Sequence, residues 1–361
     1  MKAAVIYENG SPDVLRYEDA PDPACPAGCV LIDVEAISIE GGDLLHRAGS
    51  PPGSVPHVVG YLAAGTVVEV GAGVADRAVG DRVVTLNAAG SHASKRAVPA
   101  MSTWPIPAGL DAAAAACVPV AFGTAQECLF TAGHLEARQT ALIHAGAGGV
   151  GMAAIQLAKQ AGATVLSTAS TDEKLERLKD FGLGHGINYA TENFVERTRE
   201  LTDGRGADVI LDSIGGQNLV DSIGALAYRG TLVSVGIAGR AGSAVEARAL
   251  WEKNNSLRGV FLGGALLNEY PRVHKMIGEL IERVASGQLR VEIDQTFPLA
   301  EAAAAHAYIE SRQAFGRVVM TPEAHPLRPG LARRPTEVAQ PDGPRRRCFW
   351  STTSRRLQGR R

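Results

Sequence analysis

No apolar run in this 361-residue chain approaches the roughly 20 residues that a membrane-spanning helix requires. The opening MKAAVIYENG also lacks the charged start and apolar core of a secretory leader. Cysteine is scarce. Cys25, Cys29, Cys117, Cys128 and Cys348 are an odd number scattered through a large chain, which excludes a disulfide framework and points to reduced thiols in the cytoplasm. Internal repeats are absent as well. What remains, 45% hydrophobic and 20% charged, is the composition of an ordinary globular protein long enough for about two domains.

One stretch organises the rest. At 141–161 the chain reads ALIHAGAGGVGMAAIQLAKQA: an apolar run, four glycines, then Ile155, Leu157, Ala158 and Ala161 at helical spacing. Strand, glycine turn and helix are followed by a second strand at 164–168. Gly146, Gly148 and Gly151 fit the G-x-G-x-x-G dinucleotide fingerprint, with Gly149 and Val150 between them. Glycine permits the tight turn, admits a pyrophosphate to the backbone, and lets helix pack on strand. The phosphates would sit where free N–H groups and the helix dipole favour an anion.

On either side the texture differs. Residues 1–123 read as a β-rich module, with short apolar runs at 1–7, 30–37, 58–70 and 82–86 separated by Gly, Pro and Asp clusters. After the fingerprint, helices at 172–181, 194–202 and 219–227 alternate with strands at 208–212, 231–235 and 257–261, which implies a doubly wound parallel sheet. A long helix at 270–286 and another at 299–311 follow. The last segment is of another kind. Residues 326–361 carry ten arginines against Glu337 and Asp342, a net +8 that leaves −10 on the other 325 residues. Without helical or strand period, residues 323–361 read as a disordered Arg/Pro-rich tail. Its basic charge admits a nucleic-acid arm, but aromatics other than Phe349 and Trp350 are missing, and an extension outside the folded unit is the simpler reading.

Gly80-Asp81-Arg82-Val83, Phe122-Gly123-Thr124-Ala125, the glycine fingerprint, Gly186-Ile187-Asn188-Tyr189 and the closing segment 310–319 together resemble the zinc-independent quinone oxidoreductases of the medium-chain dehydrogenase/reductase superfamily. The resemblance implies a fold class: α/β, with a GroES-like β-rich catalytic domain at 1–124, a Rossmann domain at 125–264, and a return to the catalytic domain at 265–322. A cleft between them would hold the site. A homodimer is implied by the same likeness.

Zinc-dependent relatives hold a catalytic ion with Cys, His and Cys or Asp. Aligned on this chain, those positions fall at Glu40, Tyr61 and Val120, and Cys25 and Cys29 have no second pair to form a structural site. Such a set does not make a zinc centre, so no metal is expected. Chemistry without a Lewis acid favours hydride transfer to a quinone or an enone, whose conjugation spreads the developing charge.

Cofactor preference is read at the end of the second strand. Ser167-Thr168-Ala169-Ser170 offers no carboxylate to bind ribose hydroxyls or to repel a 2′-phosphate. NADPH is therefore expected. By resemblance, Ser170, Lys174 and Tyr189 contact that phosphate, and Thr124, Gly236, Ile237 and Phe261 line the nicotinamide end. Ser170 and Glu173 also fit a helix-capping box with Lys174 solvated, a reading compatible with the first. Tyr61 and Asp43 are the candidate catalytic pair. A phenol can protonate an enolate or bind its oxygen, while an aromatic wall for Tyr61 and a structural anchor for Asp43 stand as the alternatives. Two rival functions remain: a trans-2-enoyl-thioester reductase, and a non-catalytic nucleotide-fold protein binding nucleic acid.

Overall fold

The computed structural model describes residues 1–322 except 50, 51, 53 and 243, so the Arg/Pro-rich tail expected at 323–361 lies outside the described residues. The N-terminal part contributes β1 (Lys2–Ile6), β2 (Arg16–Asp19), β3 (Cys29–Ser38), α1 (Gly41–Gly49), β4 (His57–Val58), β5 (Leu62–Val70), β6 (Arg82–Leu86), β7 (Lys95–Pro99) and β8 (Thr103–Pro105). Two helices follow, α2 (Ala112–Ala116) and α3 (Val118–Gln126), and α3 runs on into a π-helical turn, Glu127–Ala132. Asp111 starts α2 by accepting the Ala114 N–H at 2.8 Å.

The middle of the chain winds as strand and helix in turn: β9 (Thr140–Ile143), α4 (Gly149–Gln160), β10 (Thr164–Ala169), α5 (Asp172–Leu178), β11 (His185–Asn188), α6 (Phe194–Glu200), β12 (Ala207–Asp212), α7 (Gly216–Ala225), β13 (Leu226–Ser234) and β14 (Ser256–Gly259). Their six strands form one parallel sheet in the order β11-β10-β9-β12-β13-β14. Counted from β9 this is 3-2-1-4-5-6, the dinucleotide-binding order, and it places the switch point between β9 and β12. The apolar runs of β9, β10 and β12 are buried on both faces, as a parallel sheet covered by helices requires.

The chain then returns through α8 (Leu262–Asn268), α9 (Tyr270–Ala285), β15 (Ile293–Pro298), α10 (Ala302–Glu310) and β16 (Arg317–Thr321). β16 pairs antiparallel with β3 and so completes the seven-stranded sheet built from β15, β16, β3, β5, β6, β8 and β7. That arrangement, a GroES-like β-rich unit beside a doubly wound sheet, is the expected fold class. One strand differs from its sequence pattern: the run 58–70 breaks at 59–61, where the chain turns with Gly60 at φ +105° before β5 begins. This turn aims Tyr61 toward α1.

The apolar core is continuous across the two units. Phe122, Leu262, Ile277 and Phe315 share one cluster with Ile143, Ile155 and Val165 of the parallel-sheet unit. Further contacts tie the segment before β16 to the parallel-sheet unit. Gly316 N–H donates to Ala147 O at 2.8 Å, and the Arg177 guanidinium covers the Phe315 ring at 3.7 Å.

Candidate active site

The glycine loop sits at the carboxyl end of β9 on a buried histidine. His144 meets Thr168 Oγ1 through Nδ1 (3.1 Å) and Ser222 Oγ through Nε2 (3.0 Å), joining β9, β10 and α7 beneath the loop. Burial pushes His144 down to about 3, so it holds these elements as a neutral ring. Gly146 N–H donates to Thr168 O and Gly148 N–H to Ala145 O, both at 2.9 Å. A Cβ at Gly151 would run into the Ala145 carbonyl, so only glycine lets α4 start this close to the loop.

At Gly149 a Cβ would strike the Arg317 guanidinium. Arg317 comes from β16 and is 8% exposed. Its Nη2 donates to Ser38 Oγ (2.6 Å), to the Ile39 carbonyl (3.0 Å) and to Glu40 Oε1, while its Nε is buried without a hydrogen-bond partner among the described residues. Nη1 is the guanidinium atom that lies against the first turn of α4, and a cation there suits an anion. Together with the glycine cradle, it fits a dinucleotide pyrophosphate.

Beside this loop lies the crevice of the switch point. Ala238 N–H donates to Ser213 O (3.0 Å) and Gly239 N–H to Ile214 O (2.8 Å), which presses the loop after β13, bearing Gly236 and Ile237, onto the loop after β12. Asp212 supports the turn after β12. Its Oδ1 accepts from Ile214 N–H (2.7 Å), Gly215 N–H (3.2 Å) and Asn218 Nδ2 (3.2 Å).

Ser170 follows β10 directly, and Tyr189 follows β11, its N–H on Ala169 O at 3.2 Å. They share the carboxyl edge of the sheet with the glycine loop. The capping box expected at Ser170 and Glu173 is not formed. Thr171 is the N-cap of α5, accepting the Lys174 N–H at 3.2 Å, because its extended backbone (φ −147°) points Oγ1 at the first turn. Nor is Lys174 simply solvated: its ammonium donates to the carbonyls of Arg312 (2.8 Å) and Ala314 (3.0 Å). Burial, with Arg177 nearby, lowers its pKa.

The proposed catalytic pair sits on the other wall. Asp43 on α1 is fully buried and accepts from two backbone amides, Glu40 N–H on Oδ2 (2.9 Å) and Tyr61 N–H on Oδ1 (3.1 Å). That geometry makes it the clamp between the 38–43 turn and the 59–61 turn. Burial and the neighbouring Glu40 carboxylate push Asp43 up to about 8 against the pull of those amides. The Tyr61 ring lies over Gly42, where a Cβ would come within 2.8 Å of the phenol oxygen. Burial, then Asp43 and Glu40, raise Tyr61 to about 12, so its hydroxyl keeps its proton. Thr124 lies on α3, almost buried, and Phe261 stands 76% exposed between β14 and α8.

Glu40, Tyr61 and Val120 do not compose a metal site. The Glu40 carboxylate is paired with Arg317, Tyr61 stays protonated, and Val120 has no donor. Among the described residues, no group of three His, Cys, Asp or Glu side chains could hold an ion. Sequence reasoning missed Arg317. Its only signal was an arginine after Gly316 at the head of an apolar strand, and the partner that gives it meaning is 277 positions away.

A doubly wound dinucleotide domain inserted into a GroES-like unit, with a cleft wall of Glu40, Tyr61 and Arg317, defines a medium-chain oxidoreductase. Comparison with known proteins agrees. Residues 26–134 match the family described as alcohol dehydrogenase GroES-like domain, and residues 149–279 match that described as zinc-binding dehydrogenase. The chain is 38% identical over 334 residues to 2-haloacrylate reductase of a Burkholderia species, covering 89% of this chain and 99% of that protein. Quinone oxidoreductase of Pseudomonas aeruginosa is 34% identical over 87% of this chain and 97% of its own length. Among solved structures, Escherichia coli quinone oxidoreductase complexed with NADPH superposes with a TM-score of 0.84 at 32% identity, over 89% of this chain and 100% of that one. The chain belongs to the zinc-independent quinone oxidoreductase family of the medium-chain dehydrogenase/reductase superfamily.

Proposed function

We propose that this chain is an NADPH-dependent, zinc-independent reductase that transfers hydride to a quinone or an α,β-unsaturated carbonyl. The observation that carries the reading is the donor set at the start of α4: a glycine cradle faced by the buried Arg317 guanidinium with an unused N–H. Both relatives' names describe reduction of a conjugated acceptor. NADPH suits the site because the end of β10 carries no acid, and Ser170, Lys174 and Tyr189 border the same edge.

In this reading Gly146, Gly148, Gly149, Val150 and Gly151 receive the pyrophosphate with Arg317. Ser170, Lys174 and Tyr189 receive the 2′-phosphate, and Thr124, Gly236, Ile237 and Phe261 border the nicotinamide. The bound dinucleotide supplies the hydride. The Tyr61 hydroxyl, held protonated, donates a hydrogen bond to the acceptor oxygen on which charge develops, and Asp43 positions Tyr61 through its backbone amide. No bare ketone has to be polarised by a metal, since conjugation spreads that charge.

The domain division of the reading is 1–124 with 265–322 around 125–264. A homodimer accords with the open edge of the parallel sheet at β14, beside which Trp251, Phe261 and Leu267 are exposed. Cytoplasmic residence accords with the free thiols of Cys25, Cys29, Cys117 and Cys128, and among the described residues no helix is long and apolar enough to cross a membrane.

Fluorescence titration with NADPH and NADH, followed by consumption assays with 1,4-benzoquinone, an enone and a simple alcohol, tests the reading. Chelator-insensitive NADPH oxidation by the quinone or enone is expected. Chelator-sensitive oxidation of the alcohol would overturn it.

A further inference from the structure

Glu40 is an unusual group to find buried beside α1. It is 3% exposed, and its Oε1 is the meeting point of the Arg317 guanidinium and the Ser38 hydroxyl, which donates at 3.2 Å. The groups that face it come from four segments. Arg317 reaches it from β16, Asp43 from α1, the Tyr61 phenol from the turn before β5, and the Cys117 thiol from the residue before α3. Of these, only Arg317 is a cation. Arg317 is the cation hydrogen-bonded to Glu40, while the other buried guanidinium nearby, Arg96, acts on Asp43 by charge and turns its Nη atoms to the Thr85 hydroxyl and the carbonyls of Thr85, Gly60, Asn87 and Ala89.

Arg317 is also the residue that touches Gly149 at the phosphate end of α4. One side chain thus stands between two anion positions: Glu40, which it holds in this structure, and the first turn of α4, where its Nη1 lies against Gly149 and its Nε has no hydrogen-bond partner among the described residues. An anion arriving at α4 shares the guanidinium and removes part of what keeps Glu40 ionised. In a buried setting, a carboxylate that loses its counter-ion takes up a proton.

We propose that Glu40 is the proton store of the reaction and that Arg317 loads it, binding of the dinucleotide at α4 being matched by uptake of one proton at Glu40. The inference rests on the nicotinamide-dinucleotide reading above and adds to it the source of the second hydrogen. Reduction of an enone requires a hydride at the β-carbon and a proton at the α-carbon or oxygen. The O–H bond of Glu40 breaks as that C–H or O–H bond forms, its electron pair stays on the carboxylate, and Arg317 is at hand to pair with it. Solvent restores the proton in the next cycle, so hydride, proton and acceptor balance as two electrons and two hydrogens. Burial already disfavours the charged form of Glu40, against the pull of Arg317 and Ser38, so sharing Arg317 with a second anion acts in the same direction as burial.

The test is isothermal titration of the full chain with NADPH in buffers of differing ionisation heat at neutral pH, which counts protons taken up on binding. Wild type is expected to take up roughly one proton more than Glu40→Gln, with NADPH bound by both. Equal uptake by the two, with binding intact, overturns the proposal and leaves the cofactor reading standing. Absence of NADPH binding to wild type sinks both. Should Glu40→Gln fail to fold, carbon-13 glutamate-edited infrared difference spectra of the wild type on adding NADPH decide the matter. A carboxylate band lost and a carboxylic acid band gained supports the proposal, and no change refutes it.

Discussion

His92 and His306, 214 positions apart in the chain, meet Nε2 to Nε2 at 2.9 Å in the buried layer behind the Gly60–Tyr61 turn. Arg47 fixes who donates. Its Nη1 faces His306 Nδ1 at 3.2 Å, and a guanidinium cannot accept, so His306 carries its proton on Nε2 and gives it to His92 Nε2. His92 then carries its proton on Nδ1 and donates to Ser91 Oγ at 3.1 Å. The row continues outward through Arg47 to Glu310, which Arg240 of the loop after β13 also grips, both at 2.5 Å. Both rings are neutral. A row of this kind runs from the surface to the backbone beside Tyr61, and it works only in one protonation state.

This fixes a pH dependence. Burial, then Arg47, pushes His306 down to about 3, below the 6.5 of an exposed imidazole. A depressed histidine gives stability that is complete above pH 6.5 and is lost as pH falls, because the unfolded chain binds the proton first. Asp43, pushed up to about 8, has the opposite slope across much of the same window, so the informative quantity is a difference. In urea melts, the stability advantage of wild type over His306→Gln should shrink by about 1.4 kcal/mol per pH unit below pH 6.5. A constant gap between pH 7.5 and 5 would mean that His306 is not held neutral by the fold.

Lys174 separates two roles that its position allows. As the clasp on the Arg312 and Ala314 carbonyls, it would support any dinucleotide equally. As a 2′-phosphate ligand, it distinguishes NADPH from NADH by a charge-assisted bond of about 1.5–3 kcal/mol. Lys174→Ala is expected to weaken NADPH binding by roughly 10- to 100-fold and NADH by far less. Equal losses for both, measured by fluorescence titration, would assign the residue to the clasp alone.

Much of this arrangement is legible in the sequence because it is local. The fingerprint glycines, the alternation that produces the parallel sheet and the missing acid after β10 are short-range facts, set by sterics or by one residue type. The cap of α5 sits one residue beyond the expected Ser170, since Ser and Thr at adjacent positions compete and only the backbone angle of Thr171 decides. Arg317 and Glu40, or His92 and His306, could not be paired from the sequence. Each is ordinary on its own, and only the closure of β16 on β3 brings them together. For Asp43 the sequence offers both a catalytic role and a structural anchor. The two amides on its oxygens supply the contacts of an anchor, and those partners come together only once the 59–61 turn has folded back over α1.

Tyr61→Phe tests the hydrogen bond assigned to the acceptor oxygen. The ring would still cover Gly42, so folding and NADPH affinity should be unchanged, while loss of one donor to developing charge costs on the order of 100-fold in kcat. A change below about threefold would leave Tyr61 as an aromatic wall of the pocket.

Gly149 and Gly148 offer the sharpest contrast in the glycine loop. At Gly148 an added Cβ meets only the Ala145 carbonyl, at 3.3 Å, and the backbone angles suit alanine. Gly148→Ala should cost about 1 kcal/mol, the difference between glycine and alanine at a helix N-cap. At Gly149 the Cβ displaces Arg317, and with it the pairing to Glu40, so Gly149→Ala should cost about 3 kcal/mol in chemical melts. It should also weaken NADPH binding more than Gly148→Ala does. The double variant Gly149→Ala/Arg317→Ala identifies the route. If the cost runs through Arg317, the double variant is no less stable than Arg317→Ala alone. Additive costs would show instead that Gly149 acts through the backbone of α4 and that Arg317 is not the side chain it makes room for.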